Sequence, residues 1–316
     1  MIIVAGLPDE PPIKRVICQL NDLGVEHTLL DQREFENTGL KLDVATLSGT
    51  LAVPDREVIA LSDITAVYHR LHSAHSFADL SHLPANNPKI LRFNALCQQF
   101  SAFADLSGAR VINRTSGMTT NNSKPYQARI IFDCGLLTPE TLITNSVGLA
   151  TDFIHRHWNN GKEVIYKSAS SVRSVVRAVS KGDLNNLTKL GVCPVQFQER
   201  IPGVDIRVHV VGQSVFASRI ETESVDYRYS NQSNDRREIV ATDLPPEIEK
   251  ATILLAERLD LSLAGIDLRQ TPDNRWYCFE VNPSPAYSFY ESHTGQPIAF
   301  EIARFLLGND SYIKDS

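Results

Sequence analysis

The first 31 residues alternate strand, helix and strand, and that order constrains the fold more than any other feature of the chain. Residues 2–5 form a short β-branched run. Pro11 and Pro12 can open a helix, and Ile13, Val16, Ile17, Leu20 and Leu23 recur at helical spacing until Gly24 stops them. A second apolar run, 27–30, closes at Asp31. Two strands joined through a helix lie parallel, so a parallel sheet is expected at the start of the chain. The turn after the first strand reads Gly-Leu-Pro and lacks the G-x-G-x-x-G that a dinucleotide site needs.

The rest of the chain is of mixed character. Short strands are expected at 50–53, 57–61 and 65–68, then a helix over 90–106 with Leu96, Phe100 and Phe103 on one face, then a strand at 110–113. The polar stretch 113–124 reads as a domain boundary or a mobile loop. Beyond it, helices are expected at 123–134, 149–159, 247–259 and 297–307, and strands at 139–144, 163–167 and 195–201. Gly212-Gln213 joins strands 205–211 and 214–220 as a two-residue hairpin. A last hairpin pairs 263–269 with 276–281. At about 100–200 residues per domain, 316 residues allow one large domain or two to three smaller ones. The expectation is a parallel α/β domain followed by α+β lobes.

Charge and cysteine content exclude several classes. Lys plus Arg total 31 against 37 Asp plus Glu, and no basic run appears, so nucleic acid is not an expected partner. Five scattered cysteines without a CxxC pair fit free thiols in a reducing cytosol. The start MIIVAGLPDE has no signal-peptide pattern, and no stretch nears the roughly 18 apolar residues of a membrane span. A cytoplasmic protein is expected.

The last hairpin carries the chemistry. A turn at Asp273-Asn274 sets Asp267 opposite Glu280, and like charges so placed are destabilising. Asn282 points to the same face. Three such oxygens suit a hard cation, Mg²⁺ or Mn²⁺, which would relieve the repulsion. A hydrated, exposed charged face explains the hairpin alone as well or better. The run Leu261, Leu263, Gly265, Ile266 has buried character, however, and there an unneutralised pair is costly. Lys124 opens a helix and Lys167 ends an apolar strand beside serines, positions that suit phosphate contacts although each is compatible with an ordinary surface lysine.

Lys124, Lys167, Gln198-Glu199-Arg200-Ile201, Asp205-Ile-Arg207, Asp267 and Glu280-Val-Asn282 occur in an order that resembles the ATP-grasp superfamily. The chain is most similar to RimK-like carboxylate–amine ligases and the ATP-grasp enzymes that tailor ribosomal peptides, over about residues 110–307. The resemblance implies an ATP-grasp fold: an N-terminal parallel α/β domain (1–115), a central lobe (116–200) and a C-terminal lobe (201–316), the two α+β lobes clamping ATP. It implies that Lys124 and Lys167 contact ATP, that Gln198, Glu199 and Ile201 form the hinge strand whose backbone holds adenine, and that Asp205 meets the ribose. By the same resemblance Arg207 and Arg228 act near the γ-phosphate and acyl phosphate, Asp267, Glu280 and Asn282 bind the metal, and Arg70 lies near the acceptor pocket. The implied activity is Mg²⁺-dependent ligation: a carboxylate becomes an acyl phosphate, and an amine or hydroxyl, in a peptide or an amino acid, then displaces phosphate. An ATP-grasp kinase and a silent nucleotide-binding module are the alternatives, and a homo-oligomer is left open.

Some positions depart from that pattern. The stretch after Lys167 lacks glycine, and Arg173 within it either replaces lost phosphate contacts or is a solvated helix residue. The Gly212-Gln213 register puts Arg219 on the side away from Asp205 and Arg207, so Arg219 is set aside. His69, His72 and His75 read as a polar surface loop, Pro283-Ser-Pro285 as a rigid floor, Tyr287, Phe289 and Tyr290 as packing, and His209 as a hydrogen-bonded sheet histidine.

Overall fold

A computed structural model describes residues 1–168, 176–221 and 238–309. The opening is the expected βαβ unit: β1 (Ile2–Gly6), α1 (Pro11–Asp22) and β2 (His27–Asp31), with β1 and β2 parallel. Pro11 and Pro12 occupy the first turn of α1, where a missing N–H is harmless, and Ile13, Val16 and Leu20 are buried along one face. β3 (Gly39–Asp43), β4 (Ser48–Ala52) and β5 (Ile59–Ala60) form a small antiparallel sheet. β3 has only Leu40 and Leu42 as its alternating apolar signal, too little to announce a strand. β6 (Ala66–His69) pairs with β1 and, after α2 (Ala78–Ser81) and α3 (Pro88–Leu106), β7 (Arg110–Ile112) pairs with β6. The order β2-β1-β6-β7 is parallel throughout.

The stretch 113–124 is not the loose loop its polarity predicts. It holds α4 (Thr115–Met118) and a 3₁₀ turn. The Arg114 guanidinium donates to the carbonyls of Ala104, Asp105, Ser107 and Ala109, and Asp105 accepts from the Thr115 N–H at 2.7 Å. Small polar residues look loop-like in sequence, but here Arg114 and Thr115 tie the stretch to the end of α3 and the turn that follows it.

The middle of the chain runs α5 (Lys124–Asp133), β8 (Thr141–Thr144), α6 (Val147–Asn159), β9 (Val164–Ser168), β10 (Arg177–Ala178), a 3₁₀ helix at Lys181–Val192 and β11 (Val195–Glu199). The sheet β10-β9-β11-β8 is antiparallel. Val164 and Phe197 pack with Phe153, Ile154, Leu187 and Leu190, so by alternation Lys167, Gln196 and Gln198 take the other face.

The last part runs β12 (Val204–Val211), β13 (Ser214–Glu221), β14 (Glu238–Thr242), α7 (Pro246–Arg258), β15 (Leu263–Gln270), β16 (Trp276–Asn282), α8 (Tyr287–Thr294) and α9 (Ile298–Leu307). Its sheet is antiparallel, in the order β14-β13-β12-β15-β16. One face buries Ile206, Val208, Val210, Ile266 and Leu268 against Leu255 and Leu259. The other face is divided. At one end Val211, Phe216 and Leu263 share a core with Ile2, Tyr68 and Ile302, which locks the N-terminal sheet to this one. At the other end Asp205, Arg207, Asp267 and Arg269 follow the same alternation and form the site. All five cysteines are free thiols, as expected. Among the described residues no helix is long and apolar enough to cross a membrane.

Candidate active site

Asp267 does face Glu280, but not by way of the regular hairpin the sequence suggests. Residues 271–275 form the turn, and Gln270, Arg269 and Leu268 pair with Trp276, Tyr277 and Cys278. That register alone would misalign the carboxylates by one residue. A bulge on β16 at Phe279 restores the alignment, so that Asp267 meets Glu280 and Gly265 meets Asn282. A bulge inserts one residue and re-aims the side chains beyond it. Here it moves Glu280 onto the site face while leaving Cys278 in the core, where burial pushes its thiol pKa well up.

The two carboxylates are not left to repel each other. Arg207 lies opposite Asp267 on β12 and its Nη1 reaches Asp267 Oδ1 at 2.5 Å. Lys124 Nζ donates to Glu280 Oε2 at 2.8 Å. Beside the cation expected to relieve this pair, two basic side chains already offset it. The oxygen set of Asp267, Glu280 and Asn282 still fits a hard cation, because all three rise from adjacent strands on one face. Asn282 Oδ1 accepts from the Ser284 N–H at 2.9 Å and keeps a second lone pair.

Two features hold this row in place. Gly265 lies under the Arg207 guanidinium, and a Cβ there would fall 2.1 Å from Nη2 and 2.6 Å from Pro285 Cβ. Gln127, one turn beyond Lys124 on α5, is buried and pairs with the free edge of β16: its Nε2 donates to the Val281 carbonyl at 2.8 Å and its Oε1 accepts from the Val281 N–H at 3.1 Å. This amide–peptide pair sets where α5 starts relative to Glu280. A glutamine four residues before Ile131 on the buried face of α5 was the available signal.

Beside the row lies a cleft of about 850 Å³ whose lining includes Glu199, Ile201, Asp205, Arg219, Arg269 and Tyr277. It joins the hinge strand to the C-terminal sheet. Glu199 pairs with Lys162 at 2.6 Å, and its N–H is taken by the Glu140 carbonyl. Gln198 is buried and donates to Thr141 Oγ1 at 2.9 Å. Lys167 lies opposite Gln196 on the face away from the apolar core. Arg219 was set aside because its register opposes Asp205. The register is as expected, with Ile206 opposite Arg219, yet Arg219 lines the same cleft because it lies near the open end of the sheet.

Other expectations fall elsewhere. Arg70, expected near the acceptor pocket rather than the nucleotide, is not among the residues that line this cleft. It is nearly buried, its Nε and Nη2 both 2.8 Å from Glu10 Oε1 and its Nη1 3.1 Å from the Pro285 carbonyl. Arg173 and Arg228 lie outside the described residues. His69 is not part of a surface loop: it is buried, its Nε2 sits 2.7 Å from the Asn113 carbonyl, and His72 lies 3.1 Å from Glu10. His209 is buried, and among the described residues neither ring nitrogen has a hydrogen-bond partner; burial with the neighbouring Arg207 charge lowers its pKa well below 6.5. The Pro283–Pro285 floor is held from the N-terminal side, since Asn113 Nδ2 donates to the Pro283 and Leu263 carbonyls at 2.6 Å each.

A profile of the RimK-like ATP-grasp domain matches residues 124–306, more than half of the chain. The chain belongs to the RimK-like ATP-grasp family. A probable alpha-L-glutamate ligase of Syntrophotalea carbinolica is 24% identical over 207 residues, 62% of this chain and 66% of that relative, just under two thirds of its length. Among solved structures, the ATP-grasp ligase PsnB complexed with a phosphomimetic variant of its minimal precursor, Mg and ADP superposes with a TM-score of 0.81 at 24% identity, covering 98% of each chain. A RiPP-associated ATP-grasp ligase from Chryseobacterium gregarium, in complex with ADP and a leader and core peptide, gives 0.80 at 22% identity over 100% of this chain and 98% of that one. The fold likeness to these ligases therefore takes in the N-terminal sheet as well as residues 124–306.

Proposed function

We propose that this RimK-like ATP-grasp protein is an ATP-dependent ligase that activates a carboxylate as an acyl phosphate and passes the acyl group to an amine or hydroxyl. The observation that carries the reading is the charged row Lys124–Glu280–Asp267–Arg207, set on one sheet face beside a cleft of about 850 Å³. Relatives named as glutamate ligases and as ligases complexed with ADP and Mg support it. The near-complete fold match to ligases complexed with precursor peptides favours a peptide side chain as substrate over a free amino acid.

The reaction has two steps. A carboxylate oxygen of the substrate attacks the γ-phosphorus of ATP, the bond to the β–γ bridging oxygen breaks, and ADP leaves. The amine or hydroxyl then attacks the acyl carbon, the carbon–oxygen bond to phosphate breaks, and the nucleophile's proton passes to the departing phosphate or to solvent. Negative charge builds on the phosphoryl oxygens in the first step and on the acyl oxygen in the second. Preorganised cations are the main means of stabilising it. Lys124 and Arg207 supply positive charge from either side of the carboxylate pair. Asp267, Glu280 and Asn282 would hold Mg²⁺ or Mn²⁺, which when bound offsets phosphate charge. When the cation and phosphates arrive, Lys124 and Arg207 can exchange carboxylate for phosphate contacts. The hinge strand Gln198–Ile201 holds the adenine side and Asp205 the ribose.

A hydroxylamine trap tests the reading. The protein is incubated with Mg·ATP, hydroxylamine, and pooled amino acids, dipeptides and carboxylate-bearing peptides. Hydroxamate and ADP are then read by mass spectrometry. A hydroxamate is expected, and its mass names the carboxylate. ADP with a stable phosphate ester and no hydroxamate would replace the ligase by a kinase.

A further inference from the structure

We propose that Arg269 is a positioning residue that ties the ribose-binding carboxylate Asp205 to the hinge between the lobes, so that ribose and adenine are recognised as one unit. The proposal rests on the nucleotide reading of the cleft. Arg269 stands directly opposite Asp205 in the strand pairing. Its Nε and Nη2 lie 2.8 and 2.6 Å from Asp205 Oδ1, and its Nη1 donates to the Ile201 carbonyl at 2.8 Å. One planar guanidinium thus spans both ends of the short connection from β11 to β12.

The surroundings are shaped for this fork. Its carbon lies 5.2 Å from the centre of the Phe279 ring, and Phe279 is the residue the β16 bulge inserts. The same irregularity that aligns Glu280 with Asp267 therefore also supplies the stacking surface for Arg269. Gly203, at φ 148°, brings the connection against β15: a Cβ there would fall 2.2 Å from the Gln270 carbonyl. Arg269 and Asp205 are 17% and 12% exposed, so water screens the pair far less than at an open surface. Both Arg269 contacts to Asp205 use Oδ1, and a carboxylate offers about four acceptor sites in all. A lysine could reach Asp205 or Ile201 but not both, because it lacks the planar fork.

The test titrates Mg·ATP and Mg·2′,3′-dideoxy-ATP into the full chain and into Asp205→Asn, Arg269→Met, Arg269→Lys and the Asp205→Asn/Arg269→Met double variant, with thermal unfolding run alongside. Wild type is expected to prefer ATP by about tenfold or more, the scale of hydrogen bonds to a charged acceptor. Arg269→Met should lose most of that preference, as Asp205→Asn does, and the double variant should lose no more than Asp205→Asn. Arg269→Lys should fall between wild type and Arg269→Met, and it carries the test if Arg269→Met does not fold. Equal weakening of both nucleotides in Arg269→Met, or the full preference kept in Arg269→Lys, would overturn the proposal while leaving the nucleotide reading intact. A wild-type chain that binds ATP without preferring it over the dideoxy nucleotide would remove the ribose role of Asp205 and the proposal with it. A chain that binds neither nucleotide would bring down the nucleotide reading itself.

Discussion

Gly265→Ala is the smallest change that probes the charged row. The added methyl would sit 2.1 Å from Arg207 Nη2 and 2.6 Å from Pro285 Cβ. The guanidinium end can swing, but it is 7% exposed and pinned to Asp267, and the proline ring cannot rotate away. Pro285 is also held through its carbonyl by Arg70. If the backbone gives way instead, the cost is that of overpacking, about 1–3 kcal/mol. If Arg207 is expelled, Asp267 loses the guanidinium it pairs with here, and removing one member of a buried pair costs about 3–5 kcal/mol. The two responses are alternatives, so the expected loss lies between about 1 and 5 kcal/mol. Urea denaturation of Gly265→Ala, Arg207→Ala and the double variant separates them. Without the guanidinium only the Pro285 contact is left to relieve, so the double variant should cost less than the two single changes combined. Strict additivity, or a Gly265→Ala protein as stable as wild type, would refute the claim that Gly265 is present to admit Arg207. Single-turnover ADP release should fall about 10²–10³-fold in Gly265→Ala if Arg207 stabilises the transferring phosphoryl group.

Three further outcomes are expected. Gln127→Leu removes both partners of the buried Val281 peptide group, and each orphaned group should cost about 1–3 kcal/mol in urea denaturation, with weaker ATP binding as Lys124 loses its register. His69 and His209 are buried with pKa values below the ordinary 6.5, so below about pH 6.5 the unfolded chain binds protons that the folded chain does not. Stability should be flat above pH 7.5 and fall as pH drops from 6.5, by up to about 1.4 kcal/mol per unit for each histidine. His209→Leu should flatten that slope, and an unchanged slope would show that His209 is not the group responsible. Replacing Asp267 and Glu280 together by Ala should abolish the Mg²⁺ dependence of ATP binding measured by calorimetry, and unchanged Mg·ATP affinity would remove the metal assignment.

Local pattern carried the reading a long way. Period and punctuation placed α1, α3, α5 and α7 and the hairpin of β12 and β13 to within a few residues, because each is decided by contacts close in the chain. The order of chemistry-bearing residues, from Lys124 to Asn282, pointed to the family without any tertiary information. α8 was missed because its apolar residues face two partners at once. Tyr287 donates to the Pro12 carbonyl at 2.6 Å, and Tyr290 packs near His209, so no single apolar stripe appears.

What the sequence determined by itself was the parallel opening, the antiparallel strands that follow, and the order of Lys124, Arg207, Asp267, Glu280 and Asn282 along the chain. How they come to pair was decided only in three dimensions. The expected Asp267–Glu280 pair forms, but a one-residue bulge at Phe279, not a regular hairpin, sets Glu280 on the site face. Because a side chain's face alternates with each residue along a strand, turn geometry alone does not reveal that bulge. Lys124 reaches Glu280, Asn113 reaches Pro283, and Arg70 reaches Pro285 across separations of 156, 170 and 215 residues. Such contacts leave no periodic trace, because they depend on how sheets and helices pack after each has formed its own hydrogen bonds.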